Sequence, residues 1–162
     1  MNEYASLSES RLIDRYEASA GLPAAGIRGL STGQLLGIPV PGGWSIQQIV
    51  MHLADSDPIG SYRMKRVIAH ENPKIDAYDE SAFARRLGYD HQDLRTASEH
   101  FRLNRVLTAA MLRTLAADAW ERAGVHEERG RLTLRQLVEI YTEHAEHHMR
   151  FLDRKREMVQ AK

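Results

Sequence analysis

The spacing of hydrophobic residues predicts a chain built almost entirely of helices. Apolar positions recur every three to four residues along four long stretches, at 6–20, 45–71, 90–115 and 132–158, as expected for helices that bury one face. A shorter helix is expected over 79–87. No stretch alternates convincingly between apolar and polar residues, and residues 116–131 are interpreted as a connection. The pattern therefore predicts an all-α fold, a four-helix bundle.

Polar residues ahead of these stretches indicate where the helices begin. Ser45 and Thr133 each precede a glutamine by three residues, the spacing of a capping box in which both side chains satisfy free backbone N–H groups. Ser6 and Glu9 have the same spacing before the first helix. The connections from the first to the second helix and from the second to the third are too long for simple hairpins. At least one crossover is therefore expected.

Pro58 lies inside the second predicted helix. A proline removes one backbone hydrogen bond there and costs about 3 kcal/mol. We favour a continuous, kinked helix. The alternative is a break, with Asp57 as the N-cap of a new helix and Pro58 in its first turn.

Length and composition narrow the classes of function. The chain has 162 residues, 43% of them apolar, which predicts one globular domain over residues 1–162. Lys and Arg total 22 and are balanced by 22 Asp and Glu, so a nucleic-acid partner is not expected. Neither a membrane-spanning stretch nor a signal peptide is evident, and we expect a cytoplasmic protein that does not bind membranes. The absence of cysteine excludes disulfides, thiolate ligands and a cysteine nucleophile.

Two histidines of the fourth helix are candidate metal ligands. His144 and His148 fall on the core-facing side, whereas His147 lies at its edge, and i,i+4 spacing lets two imidazoles converge on one ion. His52 flanks the apolar stripe of the second helix. Three histidines without a thiolate would leave a coordination position open, as in catalytic sites. The alternative is that the buried rings form hydrogen bonds with Tyr, Asp or water in the core.

Arg105 is the second unusual residue, because it lies close to the apolar stripe of the third helix. It requires an anionic partner there, either an internal carboxylate or the acidic group of a ligand. The alternative is that its side chain extends out of the end of the bundle. The charged residues at 150–157 are interpreted as a solvated helix face.

Several short motifs follow one another along the chain: Trp44-Ser45-Ile46, His52-Leu53-Ala54-Asp55-Ser56, Tyr78-Asp79-Glu80, Arg105 and His144-x-x-x-His148. In order and spacing this set resembles the DinB superfamily. Within that superfamily it is most similar to the YfiT-like metal-dependent hydrolases and bacillithiol S-transferases. The similarity extends from about residue 30 to residue 152.

The resemblance implies a four-helix bundle of up-down-down-up topology, often assembled as a homodimer. It also implies a divalent ion, most commonly zinc or nickel, held by His52, His144 and His148. Pro58 departs from the family pattern just beyond the motif His52-Leu53-Ala54-Asp55-Ser56, where a bend would shift His52 relative to the other two ligands.

The activity implied is the transfer of a low-molecular-weight thiol to an electrophilic small molecule, or metal-assisted hydrolysis. Because the chain has no cysteine, the thiol would be a cosubstrate. Arg105 would orient an anionic group of that cosubstrate, and Asp79 or Glu80 would accept a proton. Two other hypotheses remain: a metal-stabilised bundle that binds a small ligand or a protein without turnover, and a helical dimer whose histidines hold no metal.

Overall fold

Helices account for most of the computed structural model, which describes residues 3–161. The helices are α1 (Glu9–Ala18), α2 (Leu22–Gly26), α3 (Thr32–Leu36), α4 (Ile46–Ala69), α5 (Glu80–Arg86), α6 (Leu94–Arg113) and α7 (Leu134–Gln160). The strands are β1 (Lys74–Ile75), β2 (Ala123–His126) and β3 (Gly130–Thr133). The long helices α1, α6, α4 and α7 pack in that cyclic order, which confirms the four-helix bundle.

Helices α4 and α6 run in the same direction. Near the start of α4, Gln47 donates a hydrogen bond of 2.8 Å to the carbonyl of Tyr89, just ahead of α6. Further along α4, Ser61 donates to the side-chain oxygen of Asn104 at 3.0 Å. The connection between these two helices therefore crosses from one end of the bundle to the other.

Helices α1 and α7 also run in the same direction. Arg135, at the start of α7, donates to the carbonyl of Leu7 ahead of α1 at 2.7 Å. Later in both helices, Arg15 pairs with Glu146 at 2.7 Å.

These two parallel pairs run against each other. Asp14 of α1 accepts a hydrogen bond from Arg113 at the end of α6, at 2.8 Å. Ser19, just beyond the end of α1, accepts one from Arg105, two turns earlier in α6. The bundle thus has the up-down-down-up topology that the resemblance implies.

The capping boxes predicted for the two longest helices are present. The hydroxyls of Ser45 and Thr133 accept hydrogen bonds from the backbone N–H of Gln48 and Gln136, and each glutamine side chain accepts the N–H of its cap residue. The predicted short helix is also present as α5.

Two other predicted helix starts were wrong by a few residues. Ser8, rather than Ser6, caps α1 and accepts a hydrogen bond from the N–H of Arg11. The helix α6 begins after Asp93 instead of near Asp90, because residues 89–91 form a separate 3₁₀ turn.

Pro58 lies within a continuous α4. The alternative interpretation, a break capped by Asp57, is wrong. Asp57 is almost fully buried and faces Arg105 across the bundle, so its carboxylate does not cap a helix.

A small sheet was not predicted from the sequence. Its strands lie in the order β1-β2-β3, with β1 parallel to β2 and β2 antiparallel to β3. Gly130 begins β3 with φ of 69°, a conformation that glycine adopts without strain. The strands have only two to four residues, too few to show alternation. The sheet packs against α4 and α7 and thereby forms one wall of the site described below.

A polar layer divides the hydrophobic core into two clusters. One cluster contains the ends of α4 and α6 with the start of α7. The other contains the starts of α4 and α6 with the second half of α7. Between them lie buried polar side chains, among them Asp57, Ser61, Arg105 and Thr108.

Candidate metal centre

Three histidines meet between α4 and α7. The ring centroid of His148 lies 4.6 Å from those of His52 and His144, which are themselves 4.9 Å apart. One ring nitrogen from each lies within 4.8 Å of the others. The i,i+4 spacing puts two rings on one face of α7, and the adjacent α4 supplies the third. Pro58 therefore does not carry His52 away from the other two histidines.

Burial keeps these three rings neutral. His52 is 1% exposed, and burial, assisted by the neighbouring His148, lowers its pKa to about 3. Burial likewise lowers the pKa of His144 to about 2 and that of His148 to about 4, with a smaller contribution from neighbouring histidines. Neutral imidazole is the form that binds a metal, so the three rings are available as ligands at neutral pH.

The donor set fits a divalent ion. Zinc bound tetrahedrally at about 2.0–2.1 Å from nitrogen holds its ligand atoms about 3.3 Å apart. The Nε2 atoms of His52 and His144 are 2.9 Å apart, so small side-chain movements suffice. Three histidines form a set with an open fourth position, and imidazole suits zinc and nickel alike.

An aromatic wall covers one side of the histidines. The indole of Trp44 is nearly parallel to the ring of His148, at 13° and 6.2 Å between centroids, and meets His52 edge-on at 4.9 Å. Trp44 directly precedes the cap of α4, so the start of this helix fixes its position. The indole packs beside both rings and restricts their movement.

Glu80 approaches the histidines from the opposite direction. Its Oε2 lies 3.9 Å from Nε2 of His52, and its side chain is 47% exposed. Burial raises the pKa of this carboxyl, an effect that Arg129 and Arg63 oppose. Glu80 is therefore placed either to accept a proton beside a bound ion or to become a fourth ligand.

Asp79, the other predicted proton acceptor, has a different role. Its Oδ1 accepts a hydrogen bond of 2.8 Å from the N–H of Ala82 and so caps α5. The cap turns this carboxylate toward the start of the helix. Of the two neighbours, the structure places only Glu80 beside the histidines.

Arg105 does not face the site, which corrects its predicted catalytic role. It is fully buried. Its guanidinium forms four hydrogen bonds within the protein, to Asp57, Ser19 and the carbonyls of Tyr16 and Tyr141, and an ion pair with Asp57. Its anionic partner is thus the internal carboxylate rather than a ligand, and its burial keeps the guanidinium away from a cosubstrate.

A polar cleft of about 100 Å³ opens beside His144. Glu80 of α5 lines it, together with Arg63 and Tyr141 from the two long helices. Arg63 donates a hydrogen bond of 2.8 Å to the hydroxyl of Tyr141 and so holds both side chains at the wall. The cleft therefore gives an approach from solvent to His144.

The β2–β3 hairpin supplies lining residues that the sequence analysis missed. His126, Glu128 and Arg129 all face the cleft. The signal for this hairpin was present: a short polar segment ending in Gly130, between the β-branched Val125 and Thr133, is typical of a tight turn between strands.

Asp55 acts on a neighbouring segment. The hydroxyl of Tyr89 donates to its Oδ2 at 2.6 Å. This hydrogen bond ties the 3₁₀ turn before α6 to α4, one turn beyond His52, and stabilises the backbone that carries this histidine.

Comparison with known proteins agrees with this geometry. The sequence profile of the DinB superfamily matches residues 16–152, most of the chain. The chain belongs to the DinB superfamily. Among the residues that the structure describes, this DinB protein has no helix long and apolar enough to cross a membrane.

Two curated relatives carry the same description. This DinB chain is 33% identical over 108 residues to "Putative metal-dependent hydrolase OB0782" of Oceanobacillus iheyensis. It is 32% identical over 114 residues to "Putative metal-dependent hydrolase YfiT" of Bacillus subtilis. Each alignment covers 67% of this chain and 62% or 61% of the relative, so the match spans about three fifths of each relative's length.

The fold matches a solved structure more completely. It superposes with a TM-score of 0.87 and 25% identity on the protein described as "YfiT from Bacillus subtilis is a probable metal-dependent hydrolase with an unusual four-helix bundle topology". The match covers 93% of this chain and 88% of the other.

Proposed function

We propose that this chain is a metal-dependent enzyme that acts on small molecules, with zinc or nickel held by His52, His144 and His148. The observation that carries the proposal is the convergence of three neutral imidazoles, one buried and two partly buried, beside an open polar cleft. A divalent ion in such a site lowers the pKa of a water or thiol towards neutrality.

The cleft has room for a small nucleophile. Its volume of about 100 Å³ accommodates a few water molecules, at about 30 Å³ each, or the reactive end of a thiol. Glu80 stands next to that space and accepts the proton that the nucleophile loses, because burial raises the pKa of its carboxyl. Arg63 and Arg129 line the same cleft and attract an anionic nucleophile.

Two reactions are compatible with these residues. The first, implied by the family resemblance, is the transfer of a low-molecular-weight thiol to an electrophile. That thiol must be a cosubstrate, since the chain has no cysteine. The second is metal-assisted hydrolysis, which the names of the relatives from O. iheyensis and B. subtilis favour. Both use the same proton acceptor and differ in the nucleophile.

A second candidate function is a metal-stabilised bundle that binds a ligand without turnover. The position of Glu80, 3.9 Å from His52 Nε2, favours it, because a small movement would close the fourth coordination position. We further propose a homodimer, tested by sedimentation equilibrium at micromolar concentration. A mass of one chain would refute the dimer.

The test uses tag-free protein loaded with zinc or nickel. Activated esters report hydrolysis, and a panel of thiols with one electrophile reports transfer. We expect metal-dependent turnover that is abolished in His144→Ala and lowered about 10²–10⁴-fold in Glu80→Gln. Glu143→Gln is the matched control, since Glu143 is an exposed carboxylate of α7. Full metal loading without turnover in either assay would contradict an enzyme and favour the binding function.

A further inference from the structure

A second opening lies on the far side of the three histidines. It is an apolar groove of about 390 Å³ between the second half of α7 and the loop that precedes α4. His148 lines this groove, whereas His144 lines the polar cleft. The groove is almost four times larger than the cleft and lies within the volume range of small-molecule sites, roughly 300–1,000 Å³.

The walls of the groove suit a flat or elongated apolar group. Trp44 and Ile49 line it from the start of α4, and Phe151 and Met158 from α7. Phe151 is 42% and Met158 45% exposed, so these walls face open space. The stacked rings of Trp44 and His148 continue the apolar surface to the metal centre.

Lys155 is the exceptional residue of this groove. It lines the cavity yet is 8% exposed, and among residues 3–161 no side chain or carbonyl forms a hydrogen bond or ion pair with its ammonium. Burial lowers its pKa. The ammonium is not among the fully buried unpartnered atoms, so it meets solvent in the groove that Lys155 lines. A largely buried cation whose open side faces an apolar groove is less well hydrated than one on the surface, which points to a ligand that supplies a negative charge there. The prediction of a solvated face over 150–157 was wrong at this position.

The backbone opposite leaves space for this ammonium. Gly43 forms a turn in which its N–H donates to the carbonyl of Val40 at 3.0 Å. A methyl group at position 43 would lie 3.3 Å from Nζ of Lys155. The glycine therefore allows the ammonium to approach the loop closely, at the edge of the groove.

The two charged residues that line the groove are both cationic. Lys155 lies inside, and the exposed Arg154 stands at the rim, with its guanidinium carbon 5.9 Å from the Phe151 ring centre. The described residues that line the groove include no carboxylate, in contrast to the polar cleft with its two glutamates. Charge and shape thus favour an occupant that is apolar along its length and anionic at one end.

We propose that this groove binds a small amphipathic carboxylate, with its hydrocarbon body along Trp44, Phe151 and Met158 and its carboxylate paired with Lys155. The bound molecule lies against His148, on the opposite side from the nucleophile in the polar cleft. This position beside His148 makes the bound carboxylate the substrate of the proposed enzyme. Its role as substrate, unlike its binding, rests on the proposed function. Binding itself requires no metal and no turnover.

The test measures binding of octanoate, octanamide and acetate to the full chain by calorimetry, and by Trp44 fluorescence with Trp44→Phe as the reference. Octanoate is expected to bind about tenfold more tightly than octanamide, since a charge-assisted hydrogen bond is lost in the amide. Acetate, which lacks the apolar body, is expected not to bind. Lys155→Met should remove the preference for octanoate over octanamide, whereas Lys155→Arg should keep it. Lys65→Met, at an exposed lysine, is the control and should leave the binding of both compounds unchanged.

Three results would overturn the proposal: equal binding of octanoate and octanamide, an unchanged preference in Lys155→Met, or a dimer that covers the groove and dissociates in Phe151→Glu. Repeating the titration with and without zinc separates this proposal from the proposed function. Octanoate binding without metal uptake or turnover would leave the groove site intact and refute the enzyme. Metal-dependent turnover without octanoate binding would support the enzyme and refute the groove site.

Discussion

Two clusters of buried polar side chains lie in the same bundle, and they differ in how their polar atoms are satisfied. In the Arg105 cluster the guanidinium forms four hydrogen bonds within the protein, and the charge of Asp57 balances its own. In the histidine cluster, within the described chain, the only hydrogen-bond contact of the ligand rings joins His52 to His144. The charges of the first cluster are paired inside the protein, although the neighbouring hydroxyls of Tyr16 and Thr108 have no hydrogen-bond partner among the described residues. The histidine cluster holds no opposite charge of its own.

This difference separates a structural role from a binding role. Buried polar groups are normally hydrogen-bonded, so a cluster that satisfies itself requires no ligand. Three imidazoles whose pKa values are lowered by burial gain an internal partner only from an added ion. Tyr141 connects the clusters, because its carbonyl accepts from Arg105 and its ring lies 6.2 Å from His144.

The largest expected effect is on stability, from Arg105→Met. Removing the guanidinium leaves the buried carboxylate of Asp57 without its cation, and the free energy of unfolding should fall by about 3–5 kcal/mol. Urea denaturation measures this. Arg113→Met, which removes exposed ion pairs, should lower the free energy of unfolding by no more than about 1 kcal/mol. An equal effect of the two substitutions would refute a structural role for the Arg105 cluster.

Metal should stabilise the protein through the histidine cluster alone. At a free zinc concentration of about 100 times the dissociation constant, the free energy of unfolding should rise by about 2.7 kcal/mol. The same urea experiment with and without zinc measures the increment. It should persist in Arg105→Met and vanish in His144→Ala. An increment that survives His144→Ala would place the metal elsewhere.

Gly60→Ala tests the link between the clusters. A methyl group at this position would come within 2.5 Å of the Tyr141 ring, so the ring or α4 must shift, and we expect a loss of about 1–3 kcal/mol. Thermal unfolding measures the loss, and zinc affinity should weaken with it. Gly33→Ala is the control, since its added methyl group meets no atom within 4 Å. A neutral Gly60→Ala would show that Tyr141 adapts freely.

The smallest effect is the pH dependence of the metal-free protein. Below pH about 6.5 a histidine of the unfolded chain binds a proton, but the folded site does not until the pH approaches about 4 for His148 and lower for the others. The unfolded state then binds more protons, so stability falls on acidification, by about 0.7 kcal/mol for each of the three histidines between pH 7 and pH 6. His144→Asn should flatten this dependence, and an unchanged slope would contradict the assignment.

Local patterns sufficed for much of the fold. Capping residues such as Ser45 and Thr133 and the periodic apolar positions located the helices, because these signals operate within one turn. The i,i+4 spacing of His144 and His148 identified their common face for the same reason. The family motifs then added His52, which periodicity placed only on the flank of its stripe.

The remaining features depend on contacts between distant segments. Nothing local pairs Arg105 with Asp57, 48 residues away, and the β2–β3 hairpin is too short to reveal itself by periodicity. Glu80 and Asp79 are neighbours with the same chemistry, and only the start of α5 decides which one caps the helix. Lys155 lies in a charged stretch that resembles a solvent-exposed helix face. The distant loop at Gly43 packs over this lysine and removes most of its contact with solvent.

The central claim is that His52, His144 and His148 hold one divalent ion. Calorimetric titration of tag-free, metal-free protein with zinc tests it most directly, with His148→Ala and His147→Ala compared under the same conditions. We predict about one ion per chain, lost in His148→Ala and retained in His147→Ala, because the His147 ring is exposed beside the cluster. No uptake by the wild-type chain, or uptake that survives His148→Ala, would contradict the claim.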